Sequence, residues 1–127
     1  MARVPVNRFL GTTLVARGDG RAEVALPLRP EFVQEEGVVH GGIVTALADT
    51  AAVYVLWPDL QPARGMAGVE LKMNFLAAAV PERGPLRAVG SLLRAGRTIA
   101  VCESEVFQAG VLVAKGTFTF LLRDRAP

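Results

Sequence analysis

Residues 41–58 read GGIVTALADTAAVYVLWP, and Asp49 is the only charged side chain in that run. An apolar stretch of this length calls for a buried helix covered on more than one side. A carboxylate inside such a helix is costly to desolvate and needs a reason to be there. The run opens on the glycine pair Gly41-Gly42, directly after His40. Glycines at a helix start leave main-chain N–H groups that a ligand can approach closely. One segment thus combines an acid or base with an anion-friendly helix end.

The 127 residues suit one domain with a core of its own. Hydrophobic residues at 51% against charged residues at 20% exclude a mainly disordered chain. Asp49 interrupts the apolar run, which is short for a bilayer span, and its glycine start and Trp57-Pro58 end fit a core helix. No membrane association is expected. The opening MARVPVNRFLG lacks the apolar centre of a signal peptide, and the single Cys102 excludes an intramolecular disulfide. Both point to the cytoplasm. The net charge is +2 and the arginines are scattered, so the basic stripe with interleaved aromatics that nucleic acid requires is missing. A few arginines around a pocket would suit an anionic small molecule such as a phosphorylated carrier, while most serve solubility. One histidine and one cysteine cannot supply a zinc set, so no metal is expected.

Around the helix the chain reads as strands. Ala22, Val24, Leu26 and Leu28 alternate with polar neighbours, and Gly18-Asp19-Gly20 before them forms a turn. Phe9 to Arg17 is the expected hairpin partner. Beyond Pro62, Val69, Leu71, Met73 and Phe75 alternate with Glu70, Lys72 and Asn74. Strands are expected also at 86–94, 97–107 and 111–122, joined by short glycine-containing turns that imply antiparallel pairing. On the last of these, Leu112, Ala114, Phe118 and Phe120 oppose Lys115, Thr117 and Thr119. The order strand, strand, helix, strands predicts an α+β domain, with one curved antiparallel sheet wrapped around the helix. Ala100, Cys102 and Ser104 offer the small faces on which a helix can lie.

Asp49 stands eight residues beyond Gly41, about 12 Å along a helix at ~1.5 Å per residue. A reacting carbonyl has to lie roughly 3 Å from both its attacking group and its polarising donors. If Gly41 and Asp49 serve one site, they do so from two subunits, which predicts an isologous dimer.

The motif Gly37-Val38-Val39-His40-Gly41-Gly42 followed by Leu47-Ala48-Asp49 resembles the G-x-x-H-G-G-x(4)-L-x-D pattern of the hotdog-fold thioesterases, specifically the PaaI-like branch of phenylacetate degradation. Residues 69–76, Gly96-Arg97-Thr98 and 114–120 are similar to family segments in the same order. The resemblance implies a hotdog fold and hydrolysis of acyl-CoA thioesters, in a dimer or a dimer of dimers, without a cofactor. It assigns Asp49 as general base or nucleophile and the Gly41 N–H as the group that polarises the thioester carbonyl. His40 would hold the loop. Gln34 stands where relatives commonly carry an Asn that contacts the carbonyl, and Glu70 where some place Ser or Thr to orient water. Gly42, Thr50 and Arg97 complete the substrate side. Phe75-Leu76-Ala77-Ala78 departs from the F-L-R-P of many relatives and lacks that arginine.

Each residue also has an ordinary reading. Asp49 can be a hydrogen-bonded structural residue, with burial raising its pKa and helix-end donors opposing the shift. Gln34 can be a loop residue, Glu70 a solvated or interfacial strand residue, Thr50 a packing residue and Arg97 an exposed turn arginine. Cys102, on a strand and without a second histidine to activate it, reads as core. Two other functions share the fold: a non-catalytic acyl-CoA sensor, and a hydratase or dehydratase using His40.

Overall fold

In the computed structural model, which describes residues 1–125, the apolar run forms helix α2, Gly41–Leu56, and ends in a 3-10 turn at Trp57–Asp59. Pro58 in that turn removes the N–H that another helical turn would use. At the other end, His40 is the N-cap, and its Nδ1 accepts the Gly42 N–H at 2.9 Å. A short helix, α1, spans Pro5–Leu10. The six strands are β1 (Thr13–Gly18), β2 (Arg21–Leu26), β3 (Arg64–Phe75), β4 (Leu86–Ala95), β5 (Ile99–Gln108) and β6 (Val111–Asp124). They form one sheet in the order β1-β2-β4-β5-β6-β3, with every neighbouring pair antiparallel. The expected layout, a curved sheet around one long helix, is thus the observed one.

The seat of α2 is built from small residues. A Cβ added at Gly90 on β4 would stand 2.6 Å from the Ala51 carbonyl oxygen, so helix and strand meet backbone to backbone there. Beside it on β5, Ala100, Cys102 and Ser104 are fully buried, as their size led one to expect. The Ser104 hydroxyl donates to the Ala48 carbonyl at 2.7 Å and pins the helix one residue before Asp49. Burial pushes the Cys102 thiol up to about 11, which suits a core residue and not a nucleophile. Length and composition alone would let residues 41–59 cross a membrane, but here Val44, Leu47, Ala48, Ala51 and Val55 of this helix are buried in the domain.

Three expectations need correction. Phe9 and Leu10 do not begin the first strand; they end α1, which Pro5 starts at its first turn and Gly11 stops with a left-handed φ of 85°. The strand starts at Thr13. Leu28 lies beyond β2, which ends at Leu26 before Pro27. On β6, Val113 as well as Ala114 is buried, because the register slips between β5 and β6 at this point: Phe107 pairs with Leu112, but Val106 pairs with Ala114. Val113 is the extra residue of a bulge, and its freed carbonyl accepts the N–H groups of Leu76 at 2.8 Å and Ala77 at 3.2 Å. That contact fixes the chain directly after β3.

β3 is an edge strand. Leu71, Met73 and Phe75 pair with Phe118, Gly116 and Ala114 and so share the helix-facing side of the sheet. The alternation read from the sequence holds from Glu70 onward, while Val69 falls at a bulge between Gly68 and Glu70. Met73 packs against the core, but at the open edge Leu71 and Phe75 stay largely uncovered by the described residues, at 48% and 56% exposed.

Candidate active site

The loop before α2 is held from both sides. The Val39 N–H donates to Ala79 O and the His40 N–H to Phe32 O, both at 2.8 Å. These bonds set the height of the helix start, and His40 then turns its ring back onto the first turn. With Nδ1 accepting from Gly42, the ring is engaged in capping and carries any proton on its outer nitrogen. The Gly42 N–H is thereby consumed, whereas the Gly41 N–H meets no acceptor among the described residues. The ring of Phe75 lies over Gly41; a Cβ there would come 3.1 Å from its Cζ. Gly41 thus presents one free main-chain donor under an aromatic cover. Any side chain larger than hydrogen would press on that cover.

Gly41 and Gln34 line one cavity of about 280 Å³, together with Val44, Phe75 and Val113. The structure therefore brings Gln34 beside the free donor. Its side-chain oxygen is occupied, accepting the Glu36 N–H within its own loop.

Asp49 lies elsewhere. It lines a cleft of about 330 Å³ with Asn7 of α1, Thr50, Val53 and Tyr54 of α2, Met66 and Gly68 of β3, and Phe120 of β6. The Asp49 cleft and the Gly41 cavity share no lining residue. Desolvation by this largely apolar wall raises the Asp49 pKa, with no donor to offset it. The direction left open by the sequence is therefore upward, toward a stronger base. The Thr50 hydroxyl donates to Ala46 O at 2.8 Å, a bond within the helix.

Glu70 and Arg97, like His40 and Gly42, line neither cavity. Glu70 pairs with Thr119 and points to the side of the sheet away from α2. Arg97 sits exposed in the β4–β5 turn, where its carbonyl accepts from Arg64 at 2.6 Å. Conversely, nothing in the residue pattern signals that Phe75 covers Gly41 or that α1 walls the Asp49 cleft. The alternation marks Phe75 only as inward-facing. The six-residue helix PVNRFL is too short to show an amphipathic period. Among the described residues no group of three or more His, Cys, Asp or Glu is placed to hold a metal.

Comparison with known proteins places this geometry. The chain is 36% identical over 123 residues to a Saccharolobus solfataricus protein that bears the name of an esterase, with 94% of this chain and 85% of that one covered. It is 27% identical over 135 residues to the medium/long-chain acyl-CoA thioesterase YigI of Escherichia coli, covering 94% of this chain and 86% of the relative. The solved structure of a phenylacetic acid degradation-related protein from Ralstonia eutropha superposes with a TM-score of 0.87 at 29% identity, over 93% of this chain and 90% of the other. Residues 36–115, which hold the capped glycine pair, Asp49 and most of the sheet, match the family "Thioesterase superfamily". The chain belongs to the thioesterase superfamily, with the hotdog fold and a likeness to its PaaI-like members.

Proposed function

We propose that the protein hydrolyses acyl-CoA thioesters at a centre shared by two copies of the chain. One observation carries this reading: the two halves of the chemistry sit at opposite ends of one exposed edge strand. Met66 and Gly68 of β3 flank Asp49, and Phe75 of the same strand covers Gly41. Between Gly68 and Phe75 a strand extends about 23 Å, at ~3.3 Å per residue. A two-fold axis that pairs β3 with a second β3 in antiparallel fashion sets the Gly41 end of one chain beside the Asp49 end of the other. The same pairing covers Leu71 and Phe75 and satisfies an edge that would otherwise invite aggregation.

In that centre the Gly41 N–H and the N-terminal end of α2 polarise the thioester carbonyl. Asp49 of the other copy, made more basic by its apolar wall, takes a proton from the attacking water or attacks directly. His40 keeps the helix start in shape through its cap. The carbonyl then reforms with loss of the CoA thiolate, which takes up the proton Asp49 removed from water. Where Asp49 itself attacks, water next hydrolyses the acyl-Asp49 anhydride, and in either case the acid leaves. Gln34 donates its side-chain N–H to the acyl carbonyl while its oxygen keeps the Glu36 N–H. Gly42 contributes only the closeness its lack of a side chain permits. The acyl group is aryl, phenylacetyl or medium-chain. The names of the relatives and the apolar Asp49 cleft support this class. Arg97 and Glu70 lie outside both cavities of a single chain, and a role for either is one that the second copy, or a dimer of dimers, completes.

Thiol release measured over aromatic and aliphatic acyl-CoAs tests the reading. Turnover is expected with at least one class and is lost by roughly 100-fold or more in Asp49→Ala. Near-normal turnover by a folded Asp49→Ala protein would sink it. Tight CoA-ester binding without hydrolysis would recast the protein as a sensor.

A further inference from the structure

The segment after β3 walls the Gly41 cavity through Ala77 and Ala79, and Ala79 O also receives the Val39 N–H. Its near end is fixed by the Val113 carbonyl, which accepts from Leu76 and Ala77. Its far end is held by one side chain. Gln108, the last residue of β5, is only 2% exposed. Its Oε1 accepts the Val80 N–H at 3.1 Å, and its Nε2 donates to Val80 O at 2.7 Å and to Gly84 O at 2.8 Å. Flipping the amide would set its NH2 against the Val80 N–H and its oxygen against two carbonyls, so the orientation is fixed. Val80 and Gly84 flank the turn Pro81–Arg83, and the one amide clasps it on both sides. A buried amide is costly, and an apolar side chain of similar volume would fill the space without that cost. What the amide adds is a fixed place for Val80, the neighbour of Ala79.

The hydrogen bonds therefore run in a line from Gln108 to Val80, and from Ala79 to Val39, two residues before Gly41. We propose that Gln108 is a positioning residue for the hydrolysis: through Val80 and Ala79 it sets where the Gly41 N–H points. It touches neither substrate nor reacting atoms. A polarising donor works only at hydrogen-bond distance from the developing oxyanion, and a misplacement of about 1 Å can cost roughly 100-fold in rate. The inference rests on the thioesterase reading, in which the Gly41 N–H polarises the carbonyl.

Gln108→Met keeps the volume and removes all three bonds. In the full-length protein, with the acyl-CoA that is turned over fastest, kcat per folded protein is expected to fall about tenfold or more. KM should change little, since the lost interaction belongs to the transition state. The acid limb of the pH–rate profile, which reports Asp49, should stay where it is. Circular dichroism at the assay temperature supplies the folded fraction. Amide exchange followed by NMR reads the geometry directly: Val39 should lose protection and the Gly41 resonance should move, while the amides of β5 and β6 keep their protection. Gln108→Glu is the conservative variant. Burial favours its neutral carboxyl, which keeps the bond from the Val80 N–H and one of the two to carbonyl oxygens. It should recover part of kcat and part of the Val39 protection, and it carries the test if Gln108→Met does not fold. A staple for the turn alone predicts faster exchange confined to 80–84 and unchanged kcat per folded protein; that result would overturn the proposal. So would failure of both variants to fold, because the amide would then serve the domain as a whole. If the wild type hydrolyses no acyl-CoA, the thioesterase reading fails by itself. The exchange measurement then decides whether Gln108 places the Gly41 donor, and unchanged Val39 and Gly41 signals in Gln108→Met would overturn that too.

Discussion

Asp49 is held where its charge is least welcome. Desolvation raises its pKa, and no nearby donor lowers it again. Because its pKa is higher in the folded state than in the unfolded chain, the stability it contributes is fully present below the unfolded value of about 4 and is lost as pH rises through the folded one. At neutral pH the ionised carboxylate is therefore a cost to the fold, one that the proposed chemistry would require. Asp49→Asn should melt higher than the wild type at neutral pH and no higher at low pH, while losing turnover at both. With Asp49 in the proposed role the reaction uses the ionised form, so kcat/KM of the wild type should fall as pH drops through a value above that of an exposed aspartate. Melting curves and a pH–rate profile check the two halves separately. An acid limb at or below an exposed aspartate's would show that this group is not the base.

Among elements, α2 is closed by different means at its two ends. Its start is capped locally by His40, but its last carbonyls are closed by Arg17 of β1, which donates to Tyr54 O at 2.7 Å and Val55 O at 3.1 Å. Arg17 also holds Asp59 at 2.6 Å, and that hydrogen bond lowers the Asp59 pKa. The two contacts are unequal in worth. Asp59 is exposed to solvent, where an ion pair is screened and contributes little. The helix carbonyls are at the helix end, where the intrahelical donors run out, and the contact to them is partly buried. Arg17→Met should cost about 1–2 kcal/mol in chemical denaturation, and Asp59→Ala far less. Equal costs for the two variants would show that the ion pair, and not the carbonyl cap, is what Arg17 provides. In the sequence Arg17 is one of many scattered arginines; only the packing of β1 beside the end of α2 distinguishes it.

At the level of the whole molecule, the separation of Gly41 from Asp49 makes the shared centre testable without a structure of the dimer. Gly41→Val crowds Phe75 and covers the donor, and Asp49→Asn removes the base, so each homodimer should be inactive. Mixing and re-equilibrating the two variants gives heterodimers with one intact centre and one doubly damaged one. Statistical exchange should then restore about a quarter of wild-type activity. Restoration in thiol-release assays would place the two groups on different chains, and mixtures as inactive as their parents would show that each chain works alone.

The sequence by itself determined the helix, its lone acid, its glycine start and the alternation of most strands. These are local properties, written in residue type and period, and they survive whatever the chain packs against. The small face Ala100-Cys102-Ser104 was legible for the same reason, since only a close-lying element needs such a face. Tertiary structure alone decided the rest. The bulge at Val113 shifts β6 by one residue and ties down the chain beyond Phe75, and no periodicity announces where a ladder will slip. Phe75 reads as an inward residue, yet in is toward Gly41 and toward an edge that one chain leaves uncovered. Asn7 of α1 meets Asp49 and Tyr54, both of α2, only because the two helices line one cleft. Whether a polar group is paired or stranded depends on neighbours distant in sequence, and so the sequence names the acid while the fold supplies its surroundings.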